Sequence, residues 1–336
     1  MDFINVTGYL SSGSSAVVDY IREFSNTAVC RTEIRFIRDP FGIIDLDSAL
    51  TQKWENERAS YAIWKFLDYS KKWQRFNRRI FSPAGHSYKK FLNKNYYKIT
   101  ENYIDSLVDY KVVTSHYCAS FDQCYFSYVW NRLRKNLEKK TKGKLRVANR
   151  NVRKSVFSQP DENFFIEQTR NYIESLFSQL SIDNKTIILD QALPPDDLYF
   201  THRYFRNCKN IIVTRDPRDM FINDLLDLDF IWKKKELVNA GKQFVIFYKG
   251  LVKKTKIGED PCLIIRFEDL CLNYEQTTSK ISSFLKLDSN NHLEKKVYFN
   301  PDVSKQNVGI YRKYYDKYKE AIDYIYSELK DYCWNE

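Results

Sequence analysis

Short apolar runs, each closed by a turn, alternate along this chain with segments of helical period. The first is Phe3-Ile4-Asn5-Val6-Thr7. With EIRFIRDP and the runs closing at Leu189, Thr214 and Phe267, it predicts buried strands near 2–8, 31–37, 185–190, 209–214 and 262–267. A helix is expected at 16–24, and long amphipathic helices near 47–80, 97–110 and 119–141, with FSPAGHSY (Phe81 to Tyr88) separating the first two. The last helix, near 313–331, carries Tyr314, Tyr318, Ile322, Ile325 and Leu329 on one stripe. Alternating strands and helices predict an α/β fold in three layers, with a mainly parallel sheet covered on both faces. Neither an internal repeat nor a low-complexity linker occurs, so residues 1–336 are expected to form a single domain, with a large helical insert at 51–160.

The turn after the first strand reads GYLSSGSS, Gly8 to Ser15. Glycines let a backbone approach a ligand closely, and the N–H groups at a helix start point at an anion. The Gly-x4-Gly spacing makes the fold P-loop-like, with Ser14 where a nucleotide-triphosphatase loop carries lysine. A second element is KNIIVTRDPRDMFIN, where the strand Ile211 to Thr214 ends in Arg-Asp-Pro-Arg-Asp. Arginine at a strand's carboxyl end stands where open parallel sheets bind ligands, and its planar fork suits phosphate. Alone, Arg215 to Asp219 also reads as a charged helix start with Pro217 in its first turn. The third element, Cys262 to Leu287, is a strand, then Phe267-Glu268-Asp269-Leu270, then an amphipathic helix.

In this order the three elements resemble the sulfotransferases that use 3′-phosphoadenosine 5′-phosphosulfate (PAPS), in particular the bacterial carbohydrate enzymes. SKQNVGIYRKY, Ser304 to Tyr314, looks like the family's late loop over the adenosine phosphate. The resemblance covers about residues 1–45 and 183–330. It implies that Ser11, Ser12, Gly13, Ser14 and Ser15 hold the 5′-phosphosulfate. By the same resemblance Arg215, Asn223 and the late loop, with Gly309 and Lys305 or Arg312, hold the 3′-phosphate. It implies PAPS as donor and no metal. The chain departs from the family at Ser11, which occupies the loop's basic position, and at Asn223, which stands where a serine is usual, eight residues after Arg215. Arg35 or Arg38, on the expected second strand, is the candidate replacement cation, and Arg38 equally reads as part of a turn with Asp39 and Pro40.

Sulfuryl transfer needs an acceptor hydroxyl in line behind the sulfur, a base beside it and cations at the leaving oxygen. In TIILDQALPP, Asp190 aligns with the family's carboxylate and Gln191 with its lysine. Asp190 also reads as a cap or turn former ahead of Pro194. Glu33 is the rival base, and His116 a further candidate.

Charge is uneven. Residues 51–150 hold 22 Lys and Arg against 8 Asp and Glu, and the whole excess of the +11 chain comes from there. Aromatics crowd the same stretch, among them Trp54, Trp64, Phe66, Tyr103, Tyr125, Phe126, Tyr128 and Trp130. Two readings follow: an acceptor cap that stacks on sugar rings and attracts an anionic glycan, or core aromatics beneath a solvated charged face. No nucleic-acid motif accompanies the charge. Seven scattered cysteines without a CxxC pair, no 18-residue apolar run and a strand at the amino terminus are read as a cytoplasmic protein without a membrane span. Two rivals to a carbohydrate sulfotransferase stay open: a nucleotide-dependent kinase or phosphotransferase, and a non-catalytic nucleotide-binding relative.

Overall fold

A computed structural model describes residues 1–30, 32–74, 87–113, 125–144, 154–181, 185–226, 237–255 and 262–334. The chain runs through β1 (Phe3–Gly8), α1 (Ser14–Arg22), β2 (Thr27–Val29), α2 (Ile43–Asp47), α3 (Asn56–Trp73), α4 (Tyr88–Phe91), α5 (Tyr96–Leu107), β3 (Tyr110–Val113) and α6 (Tyr125–Lys140). There follow β4 (Lys154–Phe157), α7 (Glu162–Phe177), β5 (Thr186–Asp190), α8 (Leu198–Thr201), β6 (Cys208–Thr214), α9 (Pro217–Leu226) and α10 (Leu237–Lys254). The last elements are β7 (Cys262–Arg266), α11 (Phe267–Leu272), α12 (Tyr274–Leu285), α13 (Pro301–Ser304) and α14 (Tyr315–Leu329). Two compact units result: Met1–Arg38 with Lys90–Asn93 and Ile173–Glu336, and Asp39–Lys89 with Lys94–Tyr172.

The first unit is a P-loop-like α/β sheet of five strands in the order β2-β5-β1-β6-β7. Every pairing is parallel, with Phe3 opposite both Ile187 and Cys208. β1 is central and buried at all its positions, which is why its run is apolar with few exceptions. Period-two alternation splits its side chains between two faces. Ile4 and Val6 join Ile188, Ile211, Val213 and Ile265 against Val17 and Ile21 of α1 and Ile281 and Leu285 of α12. On the other face Phe3 meets Phe177 and Phe205 edge-on, at 5.5 and 5.0 Å between ring centroids. There Asn5 Nδ2 donates to Asn210 Oδ1 at 3.1 Å, and Asn5 Oδ1 accepts from Leu193 N–H at 3.1 Å, so the polar residue in the strand is satisfied. A second apolar cluster ties α9, α10 and α14 together through Met220, Phe221, Phe244, Tyr248, Ile322 and Ile325.

The chain goes from β1 to β2 on one side and later from β5 across to β6 on the other. The sheet therefore has its topological switch between the carboxyl ends of β1 and β6, where open sheets take their ligands.

One expected strand is not formed. The second strand is Thr27–Val29, and residues 32–37 are loop and turn instead. Cys30 and Ile34 still donate backbone bonds to Ile188 and Asp190, at 3.2 and 3.3 Å, but β5 ends there and offers nothing further to pair with. Phe36 and Ile37 are adjacent and both buried, a pattern that a turn permits and a half-exposed edge strand does not. Turns close at Arg38 and Gly42, whose N–H groups reach Arg35 O and Asp39 O. In α14, Tyr318 takes non-helical angles, φ −122° and ψ 22°, so the expected stripe kinks; Ile322, Ile325 and Leu329 are its buried part.

The second unit packs α3, α5 and α7 through aromatic rings, with a two-stranded antiparallel pair of β3 and β4. Tyr103 and Tyr172 stack at 4.4 Å, and Phe66 meets Tyr103 at 6.0 Å. Trp64, Phe66, Tyr96 and Tyr103 are buried core, whereas Tyr125, Phe126, Tyr128 and Trp130 on α6 are exposed. The aromatics of this stretch thus divide into a buried core set and an exposed set on α6.

Candidate functional site

The turn after β1 is built around two glycines that nothing larger replaces. A Cβ on Gly8 would lie 2.0 Å from Ser12 Oγ and 2.7 Å from Val213 O, so the turn closes onto β6 only through hydrogen. Gly13, at φ 83°, would drive a Cβ to 2.5 Å from the Phe267 ring. Between them Ser11 also takes a left-handed conformation, φ 54°, and Ser12 N–H returns to Tyr9 O at 3.0 Å. α1 then starts at Ser14, two residues earlier than expected, with Gly13 as N-cap, no side-chain cap and no acid in its first turn. The first-turn N–H groups of such a helix have no partner within it and attract anions. Ser12 Oγ is buried beside them with no hydrogen-bond partner. Ser14 is buried and Ser15 exposed.

Arg215 follows β6 directly and is 3% exposed. Nη1 donates to Ser11 O at 3.2 Å and Nη2 to Asn307 O at 2.6 Å, so one guanidinium joins the glycine turn to the late loop. Its Cζ lies 4.9 Å from the centroid of the Phe267 ring, and Nε has no partner. Burial lowers the pKa of this arginine, and Asp219 and Glu268 oppose that shift. Both acids organise the site. Asp219 accepts from Gly309 N–H at 2.7 Å and Tyr311 N–H at 3.0 Å, which sets the late loop against α9. Glu268 Oε1 accepts from Asp216 N–H at 2.8 Å; its Oε2 is buried and unpartnered, and burial pushes the carboxyl up to about 7. Asp216 in turn clamps Arg218, with the ion pair at 2.6 Å.

The other expected phosphate ligands are less engaged. Asn223 is half-buried on α9. Lys305 is exposed and paired with Asp302 at 2.8 Å. Gly309 is buried in the left-handed conformation, φ 66°, and Arg312 is exposed with Nε 3.4 Å from Tyr311 Oη.

On the other side of the turn, Asp190 ends β5. Its Oδ1 is buried without a partner, and its carboxyl is pushed up to about 6, by burial first, then by Glu33 and Asp19, against the pull of Arg38. Gln191, at φ 56°, accepts from Thr7 Oγ1 at 3.2 Å and donates to Ser14 Oγ at 2.7 Å, tying the end of β5 to the first residue of α1. Glu33 and Arg35 form a partly exposed pair at 3.6 Å. His116 lies outside the described residues.

Several interactions of the site are not legible in the sequence. Ser11 Oγ donates to Asp224 Oδ1 at 2.5 Å, and Asp224 is 1% exposed. Asn307 acts through its carbonyl, and Phe267 as a wall under both Gly13 and Arg215. Backbone acceptors and packing walls leave no trace in residue type. Asp224 carries a faint one, a carboxylate among the apolar residues of FINDLL.

No family model matches the chain, and no curated protein matches it. Among solved structures, it is similar to the sulfotransferase domain of the Synechococcus PCC 7002 olefin synthase, at TM-score 0.42 and 10% identity, over 91% of this chain and 87% of that one. The sulfotransferase domain from the curacin biosynthetic pathway matches at TM-score 0.40 and 14% identity, over 98% and 97%. A sulfotransferase of Mycobacterium avium matches at TM-score 0.39 and 12% identity, over 98% of this chain and 76% of that one.

Proposed function

We propose that this chain transfers a sulfuryl group from PAPS to a hydroxyl of a carbohydrate acceptor, a surface polysaccharide or its precursor. The observation that carries the reading is the junction of Ser11 and Arg215 at the switch of the sheet. A glycine turn, an uncapped helix start and a buried arginine converge there, and two buried polar groups, Ser12 Oγ and Arg215 Nε, stand unpartnered. Buried polar atoms without partners are costly, and a phosphate-bearing ligand supplies the missing acceptors. The residues fit a donor with phosphates at two ends, one at the turn and one beside Arg215.

In the proposed step, the acceptor oxygen bonds to sulfur while the bond from sulfur to the bridging oxygen of the 5′-phosphate breaks. Asp190 takes the acceptor proton, and adenosine 3′,5′-bisphosphate leaves. An unpartnered carboxylate oxygen and a pKa of about 6 suit Asp190 to that work near neutral pH. The turn N–H groups and Arg35 or Arg38 balance charge on the departing oxygen. The donor needs no metal in this scheme. The second unit holds a cleft of about 460 Å³, of a size that takes small ligands, lined by Ile63, Trp64 and Ile104 with Lys98, Lys111, Glu101 and Asp105, where Lys111 pairs with Asp105.

One observation favours a second reading. Ser11, the residue at the family's basic position, brings no positive charge to the turn, and its hydroxyl is turned instead to the buried Asp224. A nucleotide-binding protein without transferase activity tolerates that arrangement.

Calorimetric titration with adenosine 3′,5′-bisphosphate, beside ATP with magnesium, tests the donor class. Micromolar binding of the bisphosphate with much weaker ATP is expected. A preference for ATP with magnesium overturns the reading in favour of phosphotransfer. Bisphosphate binding without transfer of labelled sulfate from PAPS to any glycan selects the non-catalytic reading.

A further inference from the structure

Helix α6 in the second unit is amphipathic in the inverse sense from a helix on a globular core. At 100° per residue, Phe126, Trp130, Leu133 and Leu137 fall on one stripe. That stripe is open to solvent, with Phe126 83%, Trp130 56%, Leu133 59% and Leu137 46% exposed. The side less open is polar: Arg134 and Glu138 pair at 2.8 Å with their side chains only 12% and 28% exposed. A soluble helix ordinarily buries its apolar stripe and exposes its ion pairs. Tyr125 and Tyr128 add exposed aromatic surface at the amino-terminal end.

The charge of the same segment chooses among occupants. From Tyr125 to Lys144 there are seven lysines and arginines against the single Glu138. At the same spacing Lys140 borders the stripe, Arg132, Lys135 and Lys139 fall on the opposite face, and Lys142 and Lys144 follow the helix. A second copy of the chain would bring two such cationic segments together, which like-charge repulsion opposes. An anionic lipid surface complements the charge and also takes the apolar stripe. Trp and Tyr favour the headgroup boundary, and an apolar stripe opposite a face rich in Lys and Arg is the composition of a helix lying in that plane. Among the described residues no helix is long and apolar enough to cross a membrane, so the contact is peripheral.

We propose that α6 docks the protein onto an anionic membrane surface, with Phe126, Trp130, Leu133 and Leu137 in the headgroup boundary and Lys140, Lys142 and Lys144 against lipid phosphates. The proposal rests on the exposure and charge of α6 alone and stands independently of the donor and acceptor chemistry.

The test is flotation of the full chain with vesicles of mixed phosphatidylglycerol and phosphatidylcholine, beside vesicles of phosphatidylcholine alone. Two variants are compared, Trp130→Ser with Leu133→Ser, and Lys140→Glu with Lys142→Glu. These positions are exposed, and unchanged circular dichroism and melting establish that each variant folds. Partition onto the anionic vesicles should exceed that onto neutral ones by at least about 10-fold, fall with added salt, and drop about 10-fold or more in each variant. The emission of Trp130, taken as the difference between the wild-type chain and Trp130→Phe, should shift to the blue on binding. Equal partition onto both vesicles, no partition at all, or partition untouched by either variant overturns the proposal. So does concentration-dependent dimerisation, seen by light scattering, that the Trp130→Ser, Leu133→Ser variant abolishes.

Discussion

Ser11 donates its hydroxyl to the buried carboxylate of Asp224 at 2.5 Å, while its own carbonyl accepts from Arg215 at 3.2 Å. One residue in a left-handed conformation is thus held from both sides, by an acid through its side chain and by a base through its backbone. In the proposed reading the turn holds a phosphate, which a negative charge on Asp224 would oppose. Asp224→Asn keeps the shape and a hydrogen-bond acceptor for Ser11 but removes the charge. It should tighten adenosine 3′,5′-bisphosphate binding by about 10-fold, a change of the size expected for one nearby charge. Calorimetry reads this directly, and unchanged or weaker binding would show that Asp224 does not face the ligand.

Asp190 is expected to set the pH dependence of turnover. Its carboxyl titrates at about 6, raised above the ordinary 3.8, so the base form is lost as pH falls through that value. The rate should drop about tenfold per pH unit below about 6 and level above it. Asp190→Asn should leave bisphosphate affinity in place and slow transfer by about 10²–10⁴-fold, measured with saturating PAPS. A near-normal rate in the variant would pass the role to Glu33 or another group.

Arg215 serves two carbonyls with one planar fork, which an ammonium cannot match. Arg215→Lys should weaken bisphosphate binding by about 10–100-fold, because the late loop loses its tie at Asn307 along with the phosphate contact. The check is a titration series on Arg215→Lys and on Lys305→Ala. Exposed Lys305, paired with Asp302, should matter far less.

Gly8→Ala puts a methyl group 2.0 Å from Ser12 Oγ and 2.7 Å from a backbone oxygen of β6. The strand pair has no room to yield, so the substitution should cost about 1–3 kcal/mol in urea unfolding. A neutral result would mean that the turn is looser than its geometry.

Glu268 makes stability depend on pH. Its folded pKa is about 7 against an ordinary 4.5, so between those values the native state holds a proton that the unfolded chain has released. Stability contributed in this way is present below about 4.5, falls as pH rises through the window and is lost above about 7. Glu268→Gln should remove about 3 kcal/mol of that slope, seen by comparing urea midpoints of the two proteins across the window. Asp190 adds a smaller slope of the same sign.

What sequence reading reaches here depends on whether a feature is local. The apolar run Ile211 to Thr214 places Arg215 at a strand end, and the strand meets β1 because both runs are buried on two faces. The bond of Ser11 to Asp224 spans 213 residues, and no local pattern announces it. EIRFIRDP misleads for a physical reason: its apolar residues are numerous enough for a strand, but Phe36 and Ile37 are buried side by side in a turn. The buried and exposed aromatics of the second unit separate only with burial in hand, since Trp64 on α3 and Trp130 on α6 occupy similar amphipathic patterns.

The central position of β1 also has a consequence for synthesis. Asn5 bonds to Asn210, 205 residues later, and β5 and β6 are the strands that flank β1. At about 5–20 residues per second on the ribosome, roughly 10–40 s separate the emergence of the first strand from that of its partners. Throughout that interval an apolar strand waits with both edges open, the condition under which nascent chains associate wrongly. This architecture leaves β1 waiting longest for its partners, so its edges are the ones that gain most from being shielded during synthesis.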